Sequence, residues 1–144
     1  MQTKINSEVE NLNKQLYSPK IHQPPMLSLS QKNYEYKSMD DNGTGTNYKN
    51  LIILDMCLLK QTQLPAIIHD SLLFKNISDE LLEKIFAQYI NYEKQIFIAF
   101  DRLATYSEGI QNLLKNKRVL QLGDGKEALF GFTWGDRTNK ESVK

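Results

Sequence analysis

The residues best suited to chemistry stand in one short stretch. In "LPAIIHDSLLF" (64–74), His69, Asp70 and Ser71 interrupt two apolar blocks. A second apolar run, "QIFIAF" (95–100), ends in Asp101. In open α/β sheets, ligands bind beyond the carboxyl ends of the strands. If the two runs are neighbouring parallel strands, Asp70 and Asp101 share one sheet edge. Asp70 could there serve a magnesium ion, which keeps most of its waters and leans on substrate phosphates. His69 and Ser71 flank it as catalytic candidates. The competing reading of these residues is structural: Asp70 caps a turn, and His69 is a satisfied edge histidine.

A second candidate is "DDNGTGTN" (40–47), just before a long apolar segment. Glycines let a backbone approach a ligand closely, and helix N-termini attract anions through their free N–H groups and dipole. Asn42, Gly43, Thr44 and Gly45 are therefore cofactor-binding candidates, with Asp101 at the sheet edge. The competing reading is an ordinary tight turn.

Other chemistries are excluded by pattern. "GDGK" (123–126) is followed by Glu127, position 120 is Leu, and the next segment reads as a strand. It is a hairpin turn, and no G-x-x-x-x-G-K-[ST] motif occurs in this sequence. His22 and His69 are the only histidines, with no ligand-like spacing to each other or to Cys57, so zinc is disfavoured. No Ser/His/Asp order or G-x-S-x-G elbow is present. Metal-dependent phosphoryl hydrolysis by Asp70 and Asp101 is a minor reading, because too few carboxylates converge for a metal cage. Asp55 lies within an apolar segment. A buried carboxylate needs a partner, and a helix N-terminus or an Arg/Lys is expected there.

The elements that position these residues follow from periodicity. Ile5, Val9, Leu12 and Leu16 form a narrow apolar seam on a helix over 4–16. It is too short to stand alone, so it should end a longer coiled coil or lie on a partner. "YSPKIHQPP" breaks it with three prolines. "MLSLS" and "NYEYKS" alternate as two half-buried strands. "YKNLIILDMCLLKQT" reads as a buried helix and "LPAIIHD" as a fully buried strand. Ser78 caps the next helix, with Asp79 and Glu80 in its first turn. "QIFIAF" is the second buried strand, so strand, helix and strand make a right-handed βαβ unit. A helix over 107–115 leads to a strand "RVLQL" and an antiparallel strand "ALFGFTW", before a polar tail.

Composition fits one domain or part of one: 144 residues, 40% of them apolar. Eighteen basic and seventeen acidic side chains nearly cancel, leaving no electrostatic footprint for nucleic acid. The single cysteine, Cys57, suits a reducing compartment without a disulfide framework. No signal-peptide pattern opens the chain, and "LIILDMCLL" (51–59) is too short to span a bilayer. The reading is a soluble, cytoplasmic α/β chain with no membrane partner.

The order of elements resembles the C-terminal half of an ABC-type ATPase head, as in SMC, RecN and related coiled-coil ATPases. In that resemblance "NGTGTN" stands for the signature loop and "AIIHD" for Walker B, with Asp70 binding magnesium. "FKNISDE" stands for the D-loop region and "QIFIAFD" for the switch strand. "LPAIIHDSLLFKNI", "KQIFIAFDRLATY" and "ALFGFTW" resemble more closely a bacterial domain of unknown function at the C-terminus of SMC-like ATPases. Some of those belong to ABC-three-component systems associated with defence against foreign DNA. The resemblance implies a partial parallel sheet with flanking helices and a C-terminal antiparallel strand. It implies a coiled-coil end and linker over 1–20, the head lobe over 21–135 and a tail over 136–144. It also implies ATP and Mg2+ only when a Walker A-bearing N-terminal lobe or a head-to-head partner completes the site, with DNA reached through the assembled complex. The chain departs from the pattern where Ser71 replaces the catalytic glutamate, Phe100 the switch histidine, and Asn42 the signature serine. A serine has no basicity to activate water at neutral pH. No P-loop lobe is in this sequence, so the resemblance implies a fragment, a split-gene half or a relic, inactive alone. The alternative is a non-catalytic protein–protein assembly module with an α/β core.

Overall fold

The computed structural model describes residues 1–18, 20, 22–39 and 43–131. It is a small mixed α/β structure with four helices and two two-stranded sheets, one antiparallel and one parallel. The chain forms two compact units, Met1–Gln111 and Asn112–Lys144.

Helix α1 (Gln2–Tyr17) buries the expected seam, Ile5, Val9, Leu12 and Leu16. The seam faces inward rather than toward another chain: α1 packs on helix α2 (Thr44–Gln61) and also touches the first strand and the third helix. In this chain the seam is part of the core. Four apolar residues are too few for a free coiled coil but enough for one side of an intramolecular helix pair.

Strands β1 (Met26–Leu29) and β2 (Tyr34–Lys37) pair antiparallel, with Leu27 opposite Tyr36. An open β1 edge would offer unpaired backbone groups, and α1 covers part of it. Asn6 Nδ2 donates to the Leu27 carbonyl at 2.9 Å, and Leu27 N–H donates to Asn6 Oδ1 at 2.8 Å. Leu29 N–H donates to Gln2 Oε1 at 3.0 Å. The helix therefore presents amide side chains where a third strand would present backbone.

Helix α2 starts inside the glycine-rich segment, at Thr44 rather than Tyr48, so Thr44 and Gly45 belong to its first turn. Its C-terminus is closed by Lys94, whose Nζ donates to the carbonyls of Leu59 at 2.6 Å and Thr62 at 2.5 Å. A cation there satisfies orphan carbonyls and meets the negative end of the helix dipole.

Strand β3 (Ala66–Asp70), helix α3 (Asp79–Ile90) and strand β4 (Gln95–Ala99) form the βαβ unit, and the two strands are parallel as expected. Helix α3 buries Leu82, Ile85, Phe86 and Tyr89, the spacing of one face. The strands are not fully buried, in contrast to the expectation. Their inward side carries His69 and the half-buried Ile67, Ile96 and Ile98, while Ile68 and Phe97 on the other side are 75% and 44% exposed. A lone strand pair has helices on one face only. Below the inward face lies an aromatic cluster centred on Phe74, with ring centroids 5.3 Å from Phe86, 5.7 Å from Phe100 and 6.3 Å from His69.

Helix α4 (Glu108–Lys117) follows. The strand expected at 118–122 is absent, and 128–131 is also without strand; residues 132–134 of the expected second strand lie outside the described residues, as does the tail. "GDGK" does turn, through a 3-10 segment at Gly125–Glu127 with Gly125 at φ 60° and a Gly123 N–H to Glu127 carbonyl bond of 3.0 Å. Without a ladder partner, apolar alternation does not make a strand.

Replacing Asn6 by Ala strands two backbone groups of Leu27 and should lower unfolding stability by about 1–3 kcal/mol. Gln15→Ala, on the exposed side of α1, should change it by under about 0.5 kcal/mol. Equal denaturant midpoints for the two variants would show that the edge clamp contributes nothing.

Candidate functional site

The parallel pairing sets Asp70 opposite Ala99, and Asp101 lies just beyond the end of β4. Both aspartates therefore stand at the carboxyl ends of adjacent strands. Asp70 is exposed. Its Oδ1 accepts the Leu72 N–H at 2.9 Å and caps the 3-10 turn Ser71–Leu73, with Ser71 Oγ at 3.5 Å. Asp101 is followed by Arg102, the one non-glycine with positive φ (49°) among the described residues. That conformation is uncommon for a long side chain. Among the described residues, no three His, Cys, Asp or Glu side chains stand close enough to hold a metal. Asp70 could serve a cation only as one ligand among waters and substrate oxygens.

Gly43, Thr44 and Gly45 lie at the start of α2, while Asn42 is outside the described residues. A Cβ at Gly45 would overlap the carbonyl oxygen of Asn76, so the glycine is required by close approach of two backbones. That contact joins the start of α2 to the segment between Asp70 and α3. A cleft of about 230 Å³ opens beside it, lined in part by Gly43, Gly45, Asn76 and Ser78. The first turns of two helices thus border one cleft. Gly43 has no capping side chain, and Ser78, at the N-cap of α3, makes no capping hydrogen bond. The dipole of a helix N-terminus favours an anion; Asp79 and Glu80 in the first turn of α3 oppose one.

His69 points away from Asp70, as strand alternation requires, and is 2% exposed. Tyr89 Oη lies 2.6 Å from its Nδ1, and Asp55 Oδ2 lies 3.1 Å from its Nε2. Burial first, then the charge of Asp55 and the neighbouring Tyr92, push the Tyr89 phenol well above its ordinary range. A phenol that keeps its proton is placed to donate to Nδ1, an arrangement that assigns the ring proton to Nε2, facing the carboxylate. Both ring nitrogens are engaged and the ring is shut from water, an arrangement suited to holding elements together rather than to taking a proton from a substrate. Asp55 finds His69 instead of the expected Arg, Lys or helix N-terminus. The pairing was available in principle: an acid in an apolar helix and a histidine in an apolar strand each demand a partner. Nothing in the sequence pattern marked Tyr89 as the third member, because it also fits the apolar face of α3.

Residues 12–134 match the family described as uncharacterised protein conserved in bacteria (DUF2326). The chain belongs to this family. No curated protein and no solved structure matches it significantly. Among the described residues no helix is long and apolar enough to cross a membrane.

Burial, with a contribution from Glu8, pushes the Cys57 thiol up to about 12. A raised thiol pKa adds stability that is complete below the unfolded value of about 8.5 and is lost as pH rises through the folded one. Unfolding free energy should fall between about pH 8.5 and 12, with Cys57 contributing up to about 1.4 kcal/mol per pH unit. Cys57→Ala should make that fall shallower in denaturant titrations at stepped pH. An unchanged slope would contradict the assignment.

Proposed function

We propose that this chain is the C-terminal lobe of an SMC-like ABC ATPase head. It would contribute a signature-like loop and a Walker B-like aspartate to a nucleotide-operated, DNA-related machine of the kind associated with defence against foreign DNA. The observation that carries the reading is the spatial order of one unit. A glycine-opened helix is followed by a strand ending in Asp70, a turn, a helix and a parallel strand ending beside Asp101. The first turns of α2 and α3 border one cleft, and helix N-termini suit phosphate oxygens. In this reading Gly43, Thr44 and Gly45, with Asn42 before them, face a partner's nucleotide, and Asp70 serves Mg2+ held mainly by the phosphates. Tight phosphate capture needs the P-loop backbone and lysine, which an N-terminal lobe would bring. That lobe would also cover Ile68 and Phe97.

The alternative is a non-catalytic assembly module. It is favoured by Ser71 where a base would stand and by a histidine with no free nitrogen.

The chain alone should show no ATP binding at micromolar nucleotide by calorimetry. Mixed with a matching Walker A-bearing N-terminal lobe, it should gain Mg2+-dependent ATP binding. Asp70→Asn should lower any turnover of the mixture tenfold or more while leaving the fold intact. Ser71→Glu should raise turnover if only the base is missing. Micromolar binding by the chain alone, or none by the mixture, would overturn the reading.

A further inference from the structure

Asp55, His69 and Tyr89 form a hydrogen-bonded relay. Each member sits on a different element: Asp55 in the middle of α2, His69 on β3, Tyr89 in the last turns of α3. His69 is the residue immediately before Asp70, and β3 ends at Asp70. Helix α2 is held at a second point, where Gly45 meets the Asn76 carbonyl just before α3. We propose that His69 is a positioning residue: its two ring nitrogens tie α2 and α3 to β3, so that movement of either helix is delivered to the Asp70 edge.

The chemistry makes this specific. A buried imidazole that loses either partner keeps an unpaired polar nitrogen in an apolar setting, against Phe74 and Ile98's strand. β3 would then have to shift, or admit water, to satisfy it. Asp70 is the last residue of β3, paired with Ala99, and its side chain caps its turn through one oxygen on an exposed edge. The inference stands independently of nucleotide binding.

The test is nuclear magnetic resonance on the full chain. In the unaltered protein, the His69 nitrogens should show a protonated Nε2 and a bare, hydrogen-bonded Nδ1. Tyr89→Phe removes only the hydroxyl. It should speed amide exchange at 69–72 tenfold or more, with less than a twofold change at Val9 and Leu12 of α1. Asp55→Asn keeps an acceptor oxygen and should preserve protection at 69–72, whereas Asp55→Ala should lose it. The opposite His69 tautomer, or a Tyr89→Phe effect spread evenly over α1 and β3, would overturn the proposal. The tautomer reading needs no variant and decides the matter even if a variant fails to fold.

Discussion

A histidine ring closed off from water must find a partner inside the protein for each nitrogen, and His69 finds them on two different helices. The elements around it in the Met1–Gln111 unit meet that requirement. Helix α2 must bring Asp55 to one side of β3, and α3 must bring Tyr89 to the other nitrogen. The Phe74 cluster fills the space between, with Phe86 and Phe100 packed edge-on or tilted against it. A neutral tyrosine and an ionised carboxylate make a matched pair for one imidazole, one donating and one accepting. The strand that carries His69 is thereby fixed in register as well as in place, since a slip by one residue would turn the ring to solvent.

The other side of that strand is left open. A parallel sheet ordinarily has both faces covered, because its crossovers place helices on them. Here one crossover covers one face of one strand pair, and Ile68 and Phe97 stand side by side on the uncovered one. The unit has a complete inner core but only part of a sheet, as a lobe that joins another lobe would. By contrast, the β1 edge is closed internally by Asn6 and Gln2.

Much of this was legible in the sequence where periodicity was strong. The seam of α1, the apolar face of α3 and the parallel β3–β4 pair follow from spacing alone. What the seam faces did not follow, because a helix with four apolar residues looks the same whether its partner is α2 or another chain. The continuous apolar runs of β3 and β4 suggested burial on both faces; periodicity cannot tell a covered face from one awaiting cover. "RVLQL" had the right residue types for a strand and no ladder to join. At the site, Asp70 and Asp101 were placed at one edge by the parallel topology, whereas the side-chain relay behind them depends on three elements meeting and has no linear signature. In sequence Gly45 suggests a backbone that approaches a ligand; the close approach in the fold is to the Asn76 carbonyl.

We propose that the exposed face of β3 and β4, bearing Ile68 and Phe97, is where a P-loop-bearing lobe docks. Methyl and aromatic resonances of Ile68 and Phe97, followed as the neighbouring lobe is titrated into the labelled chain, test it most directly. On docking these two signals should shift and lose contact with solvent while His69 keeps its tautomer. Association that leaves Ile68 and Phe97 unperturbed, or no association at all, would contradict it.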